Sequence, residues 1–338
     1  MKRICAVLLA FALCASAFAA GSSEDAGTTQ KSPITWVWYP NESTPEFADS
    51  RAAVIEVASK ALGREIKEQL TTDYAIAIEA LVNENAALSW FGGEGYVQAH
   101  AKEKAVLPLA VNTGHSGTLS DAKYYSMLGT LIENEGQYKT GGKYDLGKLK
   151  QKKFSFVSNS STSGFRVPSS VISKKFGVAS EELLEGGPKM VFSEVMFGGS
   201  HQGSFYNVLT KKADIGAFCN TCIKEYIEWE KGNLDDPQPG DVIVVKQNAD
   251  APFDQVPGLK VVLVATVPVL NAPIVMNTNL LSAEEVQALK TAFTSDETAA
   301  NEKIFAPKGS AVKTFFKAGQ RFALVDDAWY DPIRALAE

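Results

Sequence analysis

Apolar and polar residues alternate along the chain in short blocks, each followed by a longer stretch of helical period. Ile34-Thr35-Trp36-Val37-Trp38-Tyr39 alternates and is rich in β-formers, so it predicts a strand. Thr44-Pro45-Glu46 reads as a helix start, and Gly63 as its stop. Glu65 to Thr71 predicts a second strand. Asp73 caps a helix that places Ile76, Ala80 and Leu81 on one face. Leu88 to Phe91 and Val106 to Val111 predict two further strands. This βαβαβ rhythm implies a mostly parallel sheet with helices on both faces.

A second unit follows. Tyr124 to Ile132 predicts a strand crossing between domains. Phe154 to Val157, Lys189 to Phe192, Ala213 to Ala217, Val242 to Val245 and Val261 to Val264 predict its sheet, with Ile274 to Met276 as the return crossing. Ser282-Ala283-Glu284-Glu285 resembles a capping box, and Val312 to Ala318 continues the helical pattern. The chain therefore builds one α/β lobe from 33–125 plus 270–338 and a second from 126–269. The two linking segments allow hinge closure around a ligand.

The first residues carry an address. Lys2 and Arg3 precede the apolar run Ile4 to Phe18, and Ala17-Phe18-Ala19 supplies small residues for cleavage. Residues 1–19 read as a secretory signal, which places the mature chain in the periplasm. Cys14 offers lipid anchoring as an alternative. Residues 20–32 are small and polar and read as a flexible tether. Nothing later approaches the roughly 18 apolar residues of a membrane helix.

The net charge of −6, with no basic run or aromatic-basic stripe, argues against nucleic acid as a partner. An acidic chain that holds an anion must do so with local dipoles. The strongest local feature has that character. Ser160-Ser161-Thr162-Ser163-Gly164 follows a predicted strand and precedes a helix to Phe176, stopped by Gly177. Pro168 is tolerated only near the first turn, so the helix starts close to Ser163 or Gly164. The hydroxyl run then sits at the helix's positive end, beside free N–H groups that favour an oxyanion. Its alternative reading is a Ser-rich cap. Arg166 reads as a surface residue.

Gly198-Gly199-Ser200-His201 has the same logic: Ser200 as N-cap and His201 in the first turn, able to donate to an anion. Tyr74 opens its helix after Asp73, and Tyr124 sits where the chain leaves the first lobe. Both positions suit the mouth of an open α/β sheet. Cys219-Asn220-Thr221-Cys222 predicts a local disulfide in an oxidising compartment, with a redox pair or a soft-ligand site as alternatives. Two thiols with no second CxxC argue against structural zinc. No GxSxG, Walker loop, HExxH or dinucleotide fingerprint appears, so no enzyme, metal or cofactor is expected.

Several strings together resemble the phosphate/phosphite/phosphonate-binding proteins of ABC importers. They are Thr72-Asp73-Tyr74-Ala75, Ser89-Trp90-Phe91-Gly92, Tyr124-Tyr125-Ser126, Ser161-Thr162-Ser163-Gly164-Phe165, Gly199-Ser200-His201, Ala213-Asp214-Ile215-Gly216-Ala217 and Tyr330-Asp331-Pro332-Ile333-Arg334. The resemblance implies a type II periplasmic-binding fold. It implies that Ser161, Thr162 and Ser163 hold phosphoryl-type oxygens, with Tyr74, Tyr124 and His201 as further contacts. It also implies a permease and an ATPase as partners, and a monomer. Cys222 and Ala272 stand where aminophosphonate binders of the family place acids, and Gln202 where an Asp is common. The glycine-rich stretch Gly92 to Tyr96 is unusual. Phosphite, phosphate or a small alkylphosphonate is therefore expected ahead of an aminoalkyl ligand. A thiol-redox enzyme using Cys219 and Cys222, or a sensor that transports nothing, are the rival readings.

Overall fold

The computed structural model describes residues 31–307 and 309–337. The expected signal segment and all but the last two residues of the expected tether lie outside the described residues. Among the described residues, no helix is long and apolar enough to cross a membrane.

Strand β1 (Ile34–Trp38) shows how the first sheet is made. Ile34, Trp36 and Trp38 enter one core cluster while Val37 and Tyr39 enter another. Period-two alternation thus covers both faces of the sheet. Helix α1 (Ala48–Leu62) follows a single 3-10 turn and ends at Gly63, whose φ of 58° is the left-handed cap. Next come β2 (Ile66–Leu70), α2 (Tyr74–Val82), β3 (Leu88–Trp90), α3 (Gly93–Lys102) and β4 (Val106–Asn112). Asp73 does cap α2, accepting from the N–H of Ala75. Ile76, expected on the buried face, is 52% exposed; Ala77, Ile78, Ala80 and Leu81 form that face instead.

Strand β5 (Lys123–Leu131) leads into the second sheet. A small hairpin, β6 (Lys139–Thr140) with β7 (Lys143–Tyr144), precedes β8 (Lys153–Phe156), α4 (Val167–Phe176) and β9 (Glu194–Phe197). Then follow α5 (His201–Leu209), β10 (Ile215–Cys219), α6 (Asn220–Ile223), β11 (Ile227–Lys231), β12 (Val242–Val245) and β13 (Lys260–Leu270). The expected strand at Lys189 to Phe192 is not one. Gly187 N–H bonds the Phe192 carbonyl and turns the chain there, and pairing with β8 starts at Glu194.

The return to the first sheet is made by β13, not by Ile274 to Met276. Strand β13 lies antiparallel along β5 from Val261 opposite Leu131 to Leu270 opposite Lys123. Strand β14 (Pro273–Asn277) is buried throughout and sits between β3 and β4, antiparallel to both. An apolar run buried on both faces carries no mark of its direction, which is why the expected mostly parallel sheet is a mixed one. Its order is β17-β4-β14-β3-β1-β2, where β17 is Phe322–Leu324; the second is β11-β12-β13-β5-β10-β8-β9.

Helix α7 (Ala283–Phe293) opens on the expected capping box, Ser282 and Glu285 bonding each other's backbone N–H. A short turn of helix, α8 (Asp296–Ala299), follows. The stretch Val312 to Ala318 is not helical. Phe315 packs on Trp38, and Phe316 pairs with Phe305 in a two-strand ribbon, β15 (Phe305–Ala306) with β16 (Phe316–Lys317). Gly309 and Gly319, both at positive φ, bracket that excursion.

Candidate functional site

The site begins at the end of β8. Ser161 is the N-cap of a π-helical turn, Thr162–Arg166, that runs directly into α4. Pro168 falls in the first turn of α4, where its missing N–H costs nothing. Ser161, Thr162 and Ser163 are all buried. Ser161 Oγ accepts from Gly164 N–H at 3.1 Å, and Thr162 Oγ1 accepts from Glu94 N–H at 2.8 Å. Each oxygen therefore spends a lone pair on a backbone donor and keeps its own proton to give away.

Glu94 belongs to α3, which packs on the first sheet. Its close approach explains the glycine-rich stretch. A Cβ at Gly92 would lie 2.7 Å from Thr162 Oγ1, and one at Gly95 only 1.8 Å from the Tyr39 hydroxyl. Both glycines let the start of α3 reach the hydroxyl run. The Glu94 carboxylate, 3% exposed, grips Arg166 through both oxygens, at 2.7 and 2.9 Å. Arg166 is thus a buried-pair partner, not the surface residue expected.

His201 opens α5, with Ser200 as N-cap accepting from Gly203 N–H. Its Nδ1 accepts the Cys219 N–H at 3.1 Å, which leaves the proton on Nε2. Nε2 lies 3.5 Å from both Ser161 Oγ and Ser163 Oγ. Burial drives the imidazole pKa down to about 3, so the ring is a neutral donor facing the hydroxyls. Tyr74 starts α2, and its hydroxyl accepts from Asn41 Nδ2 at 2.5 Å. Burial raises its pKa and pushes that of Tyr124 up to about 12, with Ser163 and Thr162 bonding Tyr124 in opposition. Both phenols keep their protons.

A cavity of about 230 Å³ collects these residues: Ser161, Thr162, Ser163, Tyr74, Tyr124 and His201 all line it. Cys222 and Ala272 line it too. Cys219 and Cys222 are joined in a disulfide, so the cluster they form with His201, within 4.8 Å, offers one imidazole and no thiolate.

Some wall residues escaped the sequence reading. Asn41 bonds the Tyr74 hydroxyl and, through Oδ1, the His201 N–H at 2.9 Å, joining the two sheets' sides of the cavity. Glu42 lines the cavity with a buried Oε2 that has no hydrogen-bond partner among the described residues. Lys224 lines it with its ammonium on the carbonyls of Thr314 and Phe315, and burial lowers its pKa to about 8. Asn41 and Glu42 follow the carboxyl end of β1, where open sheets bind ligands; that position was the available signal. The wall is chiefly neutral hydroxyl, amide and imidazole groups, the set that coordinates a small oxyanion by hydrogen bonds.

A family model described as "ABC transporter, phosphonate, periplasmic substrate-binding protein" matches residues 36–330. The phosphate-import protein PhnD of Mycolicibacterium smegmatis is 24% identical over 345 aligned residues, which cover 99% of this chain and 95% of that protein. Two solved structures share the fold. One is a binding-protein component of an ABC phosphonate transporter from Pseudomonas aeruginosa, with TM-score 0.66, 18% identity and 91% of this chain against 86% of that one. The other is PhnD1 from Prochlorococcus marinus in complex with methylphosphonate, with TM-score 0.63, 17% identity and 90% against 96%.

Proposed function

We propose a function from one premise: the chain belongs to the periplasmic substrate-binding proteins of phosphonate ABC transporters. The protein is the substrate-binding component of an importer, and its family is a class of transport components, not of enzymes. On this reading the mature chain reaches the periplasm through residues 1–19 and works there as a monomer. It captures a small phosphorus oxyanion and hands it to a membrane permease driven by an ATPase. Ser161, Thr162, Ser163 and His201 Nε2 hold the oxygens, and Tyr74 and Tyr124 close over them. Hydrogen bonds to a charged ligand contribute about 1.5 to 3 kcal/mol each, so three or four offset much of its desolvation.

One observation carries the reading. The hydroxyl run lies at a buried helix start, and that start is clasped from the first sheet by Glu94 N–H on Thr162 and Glu94 on Arg166. Such contacts between the two sheets' layers belong to a closed form, and their parting opens the cavity. The rest of the wall, with Trp90, Phe315, Cys222 and Lys224, then faces the ligand's substituent.

Calorimetric titration against phosphite, phosphate, methylphosphonate and 2-aminoethylphosphonate tests this. Binding of at least one, with a compaction seen by small-angle scattering, is the expected result. No binding of any of them at millimolar concentration sinks the reading.

A further inference from the structure

Glu42 is out of keeping with the rest of the cavity. It is a carboxyl on the wall of a site built for an anion, and its Oε2 is buried without a hydrogen-bond partner among the described residues. Its neighbours were assembled for other purposes. From α1, Arg51 gives Nη1 to the backbone carbonyls of Glu42 and Thr44, and Nε to Glu68, so it attracts the Glu42 carboxyl without bonding it. From the same loop and from α2 and β5 come the phenols Tyr39, Tyr74 and Tyr124, all protonated. From α5 comes His201, uncharged. Lys224 holds backbone carbonyls, and Glu94 of α3 is spent on Arg166. On the outer wall Lys317 pairs with Asp235, and Asp121 takes the N–H groups of Gly114 and Ser116. Lys123 and His115 complete the titratable lining.

An ionised carboxylate here would face an incoming oxyanion across a dry cavity, a like-charge contact with no cation between them. A protonated carboxyl would instead add a donor to the cage. We propose that Glu42 is a specificity residue of the ligand site, and that closure around the oxyanion brings one proton from solvent into the cavity, shared by the Glu42 carboxyl and the nearest ligand oxygen. This rests on the oxyanion-binding function above. It names the ligand class more narrowly: an oxyanion with an unprotonated oxygen, facing the loop after β1, that can share one added proton.

Burial works in the same direction, raising the Glu42 pKa to about 8 in the closed form. The sign follows. In the open form the carboxyl regains water and moves toward its usual value of about 4.3. Between those two values the closed form binds the extra proton, so raising the pH weakens binding, and a bound anion carries the upper limit higher still.

The test uses the full mature chain, with methylphosphonate and inorganic phosphite as probes. Calorimetry in buffers of different ionisation enthalpy reads protons taken up per ligand. The wild type should take up about one more proton than Glu42→Gln near neutral pH, and its Kd should rise about tenfold per pH unit more steeply up to about pH 8. Equal proton uptake and parallel Kd profiles overturn the inference. Because Glu42→Gln removes a buried acid and its fold must be checked, a second reading needs no variant. Infrared difference spectra of wild type with carbon-13 glutamate should show a protonated-carboxyl band appearing on ligand addition; its absence also overturns the inference. If neither probe nor any ligand of the earlier panel binds, the transport reading itself fails and this one falls with it.

Discussion

Replacing Thr162 by Val keeps the side chain's shape and removes one oxygen, so its effect separates chemistry from packing. The oxygen does two jobs in the closed form. On the proposed reading its proton turns from Tyr124 to the ligand, while its lone pair takes Glu94 N–H at 2.8 Å. Losing a hydrogen bond to a charged ligand costs about 1.5 to 3 kcal/mol. The Val also leaves Glu94 N–H buried without an acceptor, at about 1 to 3 kcal/mol, and only when the layers are closed. Together these weaken binding by about 2.5 to 6 kcal/mol, or about 10² to 10⁴ in Kd. Thr162→Ser keeps the oxygen and should stay within about tenfold of wild type. Titration calorimetry with methylphosphonate measures both variants, and circular dichroism with ligand-free melting shows that the Val protein is folded. A Val variant whose Kd lies within about threefold of wild type would refute the assignment of Thr162 to the oxyanion and to the clasp.

Two further outcomes are expected. Arg166→Met leaves the Glu94 charge buried in the closed form with only the neutral Gln98 amide on its carboxylate, so affinity should fall about tenfold or more, and adding Glu94→Gln should restore part of it in a double-mutant cycle. The His201 ring resonances should stay flat from about pH 8 down to about pH 5, where a free imidazole titrates near 6.5. Since the folded pKa is depressed to about 3, the ring's neutral state supports the fold above the unfolded value. That support drains away as the pH falls from about 6.5 toward 3, by up to about 1.4 kcal/mol per unit.

What could be read in advance was local. A hydroxyl run between a β-rich block and Pro168 fixes the helix start, because proline allows few places for it. Asp73, Ser200 and Ser282 cap their helices through bonds spanning two or three residues, which spacing alone encodes. What could not be read was set by distant meetings. Strand β14 is apolar on both faces, and its place between β3 and β4 comes from the long β5–β13 pairing that delivers the chain there. Phe315 and Phe316 look helical in spacing, yet Trp38, Trp90 and Phe305 claim their rings. Arg166 reads as a surface residue until Gly92 and Gly95 let α3 bring Glu94 against it.

The same non-local geometry answers how a chain of net charge −6 holds an anion. Three of its cations near the cavity are committed, Arg166 to Glu94, Lys224 to two carbonyls and Lys317 to Asp235, while Lys123 lies over the Tyr125 ring. The proposed cage is therefore made of neutral donors, each prepared by a second bond. Gly164 N–H sits on Ser161, Glu94 N–H on Thr162, Asn41 on Tyr74 and Cys219 N–H on His201. Those partners are mostly backbone groups, and all but Glu94 N–H come from the donor's own sheet layer, so those donors are aimed before the ligand arrives and only Thr162 waits for closure. Neutral donors also limit how tightly the anion is held. A ligand that must be released to a permease is better served by several hydrogen bonds that part together on opening than by a buried ion pair, whose separation leaves a bare charge. On the proposed reading, the clasp of Glu94 on Arg166 and Thr162 puts the charge where opening breaks it, beside the ligand and not on it.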